Sequence, residues 1–258
     1  MTVFLVGAGP GDPELLTLRG ANLLARAEVV IHDRLATPVL ALASKHAELV
    51  NVGKAPGSTP VPQHQINRLL VDYGRRFGHV VRLKGGDPFV FARGAEEIDA
   101  LIAADVPFEV VPGISSALAA PAAAGIPLTL RNQVRMFTVL TGHDDPDAVP
   151  DDQWQALATL GGTIVVMMGS KWITSIATKL IGAGLAPDTP VTGVHAATTS
   201  DQIVQRSTLD AVTSHRSHLP VIFIIGEVAG LDLTAQPLTR IPDRTALHRL
   251  RVLEGFAD

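Results

Sequence analysis

Two glycine-rich turns carry the residue types that could bind a small molecule. They are Gly7-Ala8-Gly9-Pro10-Gly11-Asp12-Pro13 and Gly85-Gly86-Asp87-Pro88-Phe89, and each directly follows a short apolar run. Glycine lets the backbone approach a ligand closely, because no Cβ intervenes and positive φ angles are allowed. The aspartate in each turn offers an acceptor for a ligand hydroxyl or amine. Two such turns at strand ends predict one small-molecule pocket at the mouth of an α/β sheet.

Neither turn matches a nucleotide fingerprint. Pro10 interrupts the spacing of a dinucleotide-binding loop, and no Gly-Lys-Ser/Thr follows as in a Walker loop. The first turn alone is equally well explained as a tight connection between a strand and a helix. In the second turn, the glycine amides could meet a carboxylate, or the aspartate could simply cap a helix. The run 111–117, Val-Pro-Gly-Ile-Ser-Ser-Ala, is a third junction of this kind, and together the three favour one shared pocket.

Composition excludes several classes of function. The chain has 258 residues, no cysteine, 47% hydrophobic and 18% charged residues, and a net charge of −4. Without cysteine there is no disulfide, thiolate nucleophile or cysteine-ligated metal. Negative charge and few aromatic residues disfavour a nucleic-acid partner. No apolar run is long enough for a membrane span, and the N-terminal residues lack a basic region, so we expect a cytoplasmic α/β enzyme without a signal peptide.

The order of apolar runs predicts two α/β domains. Strands alternating with helices favour a parallel-rich sheet in the first half, and two late strands without a long helix between them favour a mixed sheet in the second. We place the domains at 1–128 and 133–230, with a peripheral arginine-rich tail at 231–258. The predicted strands are 3–6, 29–31, 49–52, 80–83, 108–111, 136–140, 163–168, 191–194, 202–207 and 221–225, and the predicted helices are 13–27, 62–77 and 94–104.

Across residues 1–230 the chain resembles the tetrapyrrole (corrin/porphyrin) methyltransferases, especially members that methylate uroporphyrinogen III. The resemblance rests on motifs that occur in the family's order. These are the first glycine-rich turn, Asp33-Arg34-Leu35, Val52-Gly53-Lys54, Val81–Phe89, Glu96-Glu97, Val110–Ser116, Gly125-Ile126-Pro127-Leu128-Thr129 and Thr141-Gly142-His143.

The resemblance implies the two-domain tetrapyrrole methylase fold, a homodimer, and S-adenosylmethionine as methyl donor, leaving as S-adenosylhomocysteine. It implies C-methylation of uroporphyrinogen III to precorrin-2 through precorrin-1, for sirohaem or cobalamin synthesis. By matching motif, the cofactor site would comprise Pro10, Gly85, Gly86, Asp87, Val90, Ser115, Ser116, Met168 and Ala197.

The resemblance also assigns the reacting groups. Asp33 matches the family's proton acceptor and Lys54 its proton donor. Uroporphyrinogen III carries eight carboxylates, so an acidic protein needs a local cationic rim to bind it. The candidates for substrate binding, besides Lys54, are Arg34, Arg93, Arg131 and His143. We expect no metal, because the histidines do not have a ligand spacing.

Several positions depart from the family pattern. Ala92, Ala95 and Ala197 replace glycines, and Leu130 stands where Thr-His-Arg is usual. The departures keep two alternatives open: a methylase of a later precorrin or cobalt-precorrin, and a catalytically impaired paralogue that binds tetrapyrrole or S-adenosylhomocysteine. A nicotinamide-dependent oxidoreductase is disfavoured by the broken fingerprint.

Overall fold

The computed structural model describes residues 1–53, 61–214 and 219–233. Lys54, and the arginine-rich tail from residue 234 onward, lie outside the described residues. The chain divides into two compact units, Met1–Ser116 and Ala117–Asp258. In the described part, no helix is long and apolar enough to cross a membrane.

The first unit is a parallel sheet covered on both faces. Its elements are β1 (Thr2–Gly7), α1 (Leu18–Leu24), β2 (Val29–His32), β3 (Glu48–Asn51), α2 (Gln63–Arg76), β4 (His79–Lys84), α3 (Gly94–Ala103) and β5 (Phe108–Val111), with 3-10 helices at Pro13–Leu15 and Arg34–Leu42. The strand order is β3-β2-β4-β1-β5, and every pair is parallel. All five carboxyl ends therefore lie along one edge, and the loops that follow them share that edge.

Alternation along the strands sends apolar side chains to both faces of this sheet. Val6, Val30 and Leu83 pack with α1 and the Arg34–Leu42 segment on one face. Val3, Ile31 and Val80 pack with α2 and α3 on the other. The near-continuous apolar strands arise because neither face meets solvent.

The second unit is a mixed sheet, as predicted. Its elements are α4 (Ser116–Ala123), which begins with the last residue of the first unit, β6 (Phe137–Thr141), α5 (Asp151–Leu160), β7 (Thr163–Met167), α6 (Ile173–Gly182), β8 (Pro190–His195), β9 (Ile203–Thr208) and β10 (Val221–Ile225), with 3-10 helices at Pro146–Ala148 and Glu227–Gly230. The order is β6-β7-β10-β8-β9. The β6–β7 pair is parallel, whereas β10 runs antiparallel to both β7 and β8. Strands β6, β7 and β8 consequently point the same way and end at one edge.

One predicted element differs in the structure, and the domain limits remain untested. The helix predicted over 13–27 is interrupted, because Leu16 is extended and Thr17 caps a separate α1 with its hydroxyl. The boundary between the two compact units falls after Ser116, because Ala117 and Ala120 of α4 pack into the core of the second unit. A division of contacts does not measure independent folding, so the domain limits 1–128 and 133–230 stay predictions.

Candidate active site

The two glycine-rich turns of the first unit are hydrogen-bonded to each other. The Gly86 N–H donates to the Gly9 carbonyl at 2.8 Å, and the Gly9 N–H donates to the Gly86 carbonyl at 3.2 Å. Both residues have positive φ angles, +76° and +68°, in which a side chain is strained. The Gly86 amide is thus used within the protein and is not directed at a ligand carboxylate.

The third junction joins the same cluster through Gly113. A Cβ built on Gly113 would lie 2.2 Å from the Gly86 carbonyl oxygen, and one on Gly7 would lie 2.5 Å from the Gly113 Cα. Three loops can pack this closely only because these positions carry no side chain. The three junctions that the sequence predicts to share one pocket therefore meet in the backbone, and the pocket itself stays a prediction.

Asp87 holds two of these loops in place. Its Oδ1 accepts from the Phe89 N–H at 2.8 Å and its Oδ2 accepts from the Gly113 N–H at 3.0 Å. Each carboxylate oxygen thereby satisfies a backbone donor, in the strong, charge-assisted class of hydrogen bond. Asp87 shapes the site, and any contribution to a ligand must use its remaining acceptor capacity.

Six of the cofactor-site residues expected in this unit follow three adjacent strands. Pro10 follows β1, Gly85, Gly86, Asp87 and Val90 follow β4, and Ser115 follows β5. Ser115 is buried, and Ser116, the seventh, begins α4. Sheet topology alone thus brings together residues that are more than a hundred positions apart in the chain.

Asp33 follows β2, the strand next to β4, and is bound by a buried arginine. The Arg82 Nη2 donates to the Asp33 Oδ1 at 2.8 Å. Arg82 is 2% exposed, whereas the Asp33 side chain is 33% exposed. Among the described residues, no hydrogen bond reaches Oδ2 of Asp33, so this oxygen has the free acceptor capacity that a base needs.

Behind Arg82 lies a buried charge cluster. The Glu97 Oε1 accepts from the Arg82 Nε at 3.0 Å and from the Lys84 Nζ at 2.8 Å. Burial lowers the pKa of the Lys84 ammonium below its ordinary value of 10.5; the adjacent Arg82 charge lowers it further, and Glu97 opposes the shift. Asp33, Arg82, Lys84 and Glu97 form what we call the charge cluster.

The candidate substrate-binding cations of this unit are exposed. The backbone of Arg34 lies beside Gly53: a Cβ built on Gly53 would be 2.4 Å from the backbone nitrogen of Arg34. Arg93 is half exposed, and its Nε and Nη2 donate to the two carboxylate oxygens of Glu96 at 2.7 and 2.6 Å. This hydrogen-bonded pairing raises the pKa of the Arg93 guanidinium. A carboxylate ligand of Arg93 would have to compete with Glu96.

The remaining candidates lie in the second unit, at the shared end of β6, β7 and β8. His143 follows β6, Met168 follows β7, and Ala197 comes two residues after β8. Met168 is 45% exposed with a φ of +58°, so it is not a core methionine. Exposure of a large thioether in a left-handed conformation is a cost that a binding role would explain. Arg131 is exposed and lies in the loop before β6.

Two of the departures from the family pattern have structural consequences. Leu130 is partly buried against the core cluster of Ala117, Ala120 and Val134, and its backbone bridges that of Val134. Ala197 is buried in the same cluster. Both side chains therefore add apolar packing to the second unit.

The sequence alone did not reveal that Glu97 pairs with Arg82 and Lys84 in the charge cluster. Arg82 and Lys84 were visible as cations before the second turn, but nothing paired them with Glu97. The available signal was their spacing: residues two apart in a strand covered on both faces must be buried on the same side. Two such cations require a buried anion.

Among the described residues, no group of three His, Asp or Glu could hold a metal ion.

Comparisons with known proteins identify relatives over most of the chain. The sequence model of the Tetrapyrrole (Corrin/Porphyrin) Methylases matches residues 2–213. An S-adenosyl-L-methionine-dependent uroporphyrinogen III methyltransferase of Methanosarcina barkeri is 46% identical over 235 residues, covering 89% of this chain and 92% of that protein. A sirohaem synthase of Tolumonas auensis is 47% identical over 232 residues. The chain spans 49% of that synthase, about half its length.

A solved structure is also similar. The uroporphyrin-III C-methyltransferase of Thermus thermophilus, complexed with S-adenosylhomocysteine, superposes with a TM-score of 0.76 at 42% sequence identity. The match covers 88% of this chain and 98% of the Thermus chain.

Proposed function

Since this chain belongs to the tetrapyrrole (corrin/porphyrin) methylase family, we propose that it transfers methyl groups from S-adenosylmethionine to ring carbons of uroporphyrinogen III. The observation that carries the proposal is the 46% identity to the Methanosarcina enzyme, which extends over 92% of that protein's length. The product of two transfers is precorrin-2, reached through precorrin-1. That product serves sirohaem or cobalamin synthesis.

The backbone at Gly86 is free of close neighbours on the side where a Cβ would stand. A Cβ built on Gly86 would have the Ser115 Cα, at 3.8 Å, as its nearest neighbour. The glycine thus leaves bare backbone where a side chain would otherwise stand. We propose that the cofactor is held by Pro10, Gly85, Gly86, Asp87, Val90, Ser115, Ser116, Met168 and Ala197.

S-adenosylmethionine, when bound, supplies an electrophilic sulfonium methyl group. The ring carbon forms a bond to that methyl as the methyl–sulfur bond breaks, and a proton is later lost from the macrocycle. The protein has to hold donor and acceptor in line and to provide a base. We propose that Asp33 accepts the proton through Oδ2 while Arg82 holds Oδ1. We assign the proton donor to Lys54, by its motif.

The substrate's eight carboxylates require cations that remain accessible. Arg34, Arg93, Arg131 and His143 are exposed, and we propose that they contact these carboxylates. Paired arginine–carboxylate geometry favours a ligand of this kind over a neutral macrocycle. Arg93 would exchange Glu96 for a substrate carboxylate.

The test is an anaerobic incubation of the purified protein with S-adenosylmethionine and uroporphyrinogen III, followed by mass spectrometry. We expect a product with two added methyl groups over multiple turnovers. Absence of any methylated product, with intact binding of S-adenosylhomocysteine by calorimetry, would contradict the assignment of substrate.

We further propose that the protein is a cytoplasmic homodimer, as the family resemblance implies. Sedimentation at micromolar concentration tests the assembly, and a species of 27.2 kDa, the mass of a single chain, would contradict it.

A further inference from the structure

Buried charge in the described part of this protein is concentrated in one place. Arg82, Lys84 and Glu97 are the only buried arginine, lysine, aspartate or glutamate side chains among the described residues, at 2%, 2% and 0% exposure. Burying a charge is costly, and apolar side chains of similar volume often stabilise a fold as well or better. The cluster therefore calls for an explanation other than stability.

Asp33 is the member of the charge cluster that reaches solvent. The buried part contains two cations and one carboxylate, and Asp33 supplies the second negative charge through its contact with Arg82. The cluster thus extends from the interior of the first unit to one partly exposed carboxylate. That carboxylate lies at the sheet edge where the glycine-rich turns meet.

The Arg82 guanidinium is held on every side. Its Nε donates to Glu97, its Nη1 to the carbonyls of Ile31 and Leu83 at 3.4 and 3.3 Å, and its Nη2 to Asp33. The two carbonyls belong to the ends of β2 and β4. Besides Asp33 itself, Glu97 is the only charged partner of this guanidinium among the described residues, so its bond to Nε helps to set the direction in which Nη2 meets Asp33.

Glu97 itself is incompletely satisfied. Its Oε1 accepts from both Arg82 and Lys84, whereas its Oε2 is buried without a hydrogen-bond partner in the described part of the chain. An unsatisfied buried acceptor is a net cost. A carboxylate chosen for stability alone would not normally concentrate two strong bonds on one oxygen and none on the other.

We propose that Glu97 is a positioning residue for methyl transfer, which acts through Arg82 to orient the Asp33 carboxylate. The inference rests on the proposed function, and in particular on Asp33 as proton acceptor. Glu97 touches no reacting atom. Its effect is on the placement of Asp33 relative to the macrocycle, where small displacements change rates strongly.

The test is a double-mutant cycle on the single-turnover formation of precorrin-1, which requires both methyl transfer and the later loss of the proton, with wild type, Glu97→Gln, Asp33→Asn and the double variant. We expect Glu97→Gln to slow the wild-type rate roughly ten-fold or more, with KM for uroporphyrinogen III changed less than about three-fold. In the Asp33→Asn background, the same change should slow the rate less than about two-fold, because the group it positions is gone.

Two further variants separate positioning from damage to the fold. Glu97→Asp keeps the charge one methylene further back, and its rate should lie between those of wild type and Glu97→Gln. Glu109→Gln is the matched control, since Glu109 forms an exposed ion pair with Arg19, and its rate should equal that of wild type. Glu97→Gln should still bind S-adenosylhomocysteine with an affinity within about three-fold of wild type.

Equal slowing by Glu97→Gln in both backgrounds would overturn the inference and leave the function standing. Loss of S-adenosylhomocysteine binding in both Glu97 variants would also overturn it, since the role would then be structural. Wild-type protein that fails to methylate uroporphyrinogen III would contradict the proposed function itself. A wild-type rate in Asp33→Asn would overturn both the role of Asp33 and the inference built on it.

Discussion

Gly9 and Gly86 face each other across an antiparallel bridge, with each N–H donating to the other's carbonyl. The bridge joins the loops that follow the adjacent strands β1 and β4. Two residues 77 positions apart in sequence thus form one backbone surface, and its shape depends on both having positive φ. Changes at these positions should affect ligand binding more than their effect on stability would suggest.

Replacing Gly86 with alanine should weaken cofactor binding. The left-handed backbone costs roughly 1–2 kcal/mol for a residue with a Cβ, and the added methyl group occupies the bare space beside Ser115. We expect calorimetry to show at least a ten-fold loss of S-adenosylhomocysteine affinity. The matched control is Gly184→Ala, where φ is +109° and nothing lies within 4 Å of the added Cβ. That variant should lose stability but keep its affinity, and equal losses of affinity in the two variants would refute the prediction.

Asp87 variants should lose stability and affinity together. Asp87→Ala removes the acceptors of both the Phe89 and Gly113 amides; we expect a cost of about 1 kcal/mol for the part-buried Gly113 donor and less for the exposed Phe89 donor, which water can satisfy. Asp87→Asn retains one carbonyl oxygen and should be intermediate. Urea unfolding and calorimetry with S-adenosylhomocysteine check the order wild type, asparagine, alanine. An alanine variant as stable as wild type would show that the two bonds contribute nothing.

Lys84 should make stability depend on alkaline pH. Its folded-state pKa is lowered, so between that value and the ordinary 10.5 the unfolded chain binds more protons than the folded one. The contribution of Lys84 to the free energy of unfolding therefore rises as pH increases between these two pKa values. Comparing urea unfolding of wild type and Lys84→Met cancels the other titrating groups. The free energy of unfolding of the wild type should increase relative to that of Lys84→Met as pH rises towards 10.5. A difference in unfolding free energy that stays constant or falls would contradict the lowered pKa of Lys84.

Glu96 should compete with the substrate for Arg93. Because Glu96 occupies two guanidinium nitrogens of Arg93, Glu96→Gln should free the cation and lower KM for uroporphyrinogen III by about two- to five-fold. Arg93→Leu should raise KM in turn. Steady-state kinetics at low ionic strength checks both, because exposed charges are screened by salt. A higher KM in Glu96→Gln would mean that Glu96 presents Arg93 to the substrate.

Much of the fold was predictable because its strands are short apolar runs with clear limits. Val80–Leu83 and Val221–Ile225 each lie within or coincide with an observed strand. Both sheets have the predicted parallel and mixed character. The interruption at Leu16 was not predictable, since an apolar residue at helical spacing carries no sign that its backbone is extended.

The candidate site was partly predictable for a related reason. The amino-acid sequence alone determined that glycine-rich turns follow strands, and the family motifs predicted Asp33 and the expected cofactor residues among them. Only the tertiary structure decided that Gly9 bonds to Gly86, that Asp87 spans two loops, and that Glu97 reaches Arg82 and Lys84 from a helix. These contacts join residues on separate elements, and their geometry depends on strand order and on which face each side chain takes. Local sequence patterns report the period of an element, whereas partners across a sheet follow from how the elements pack.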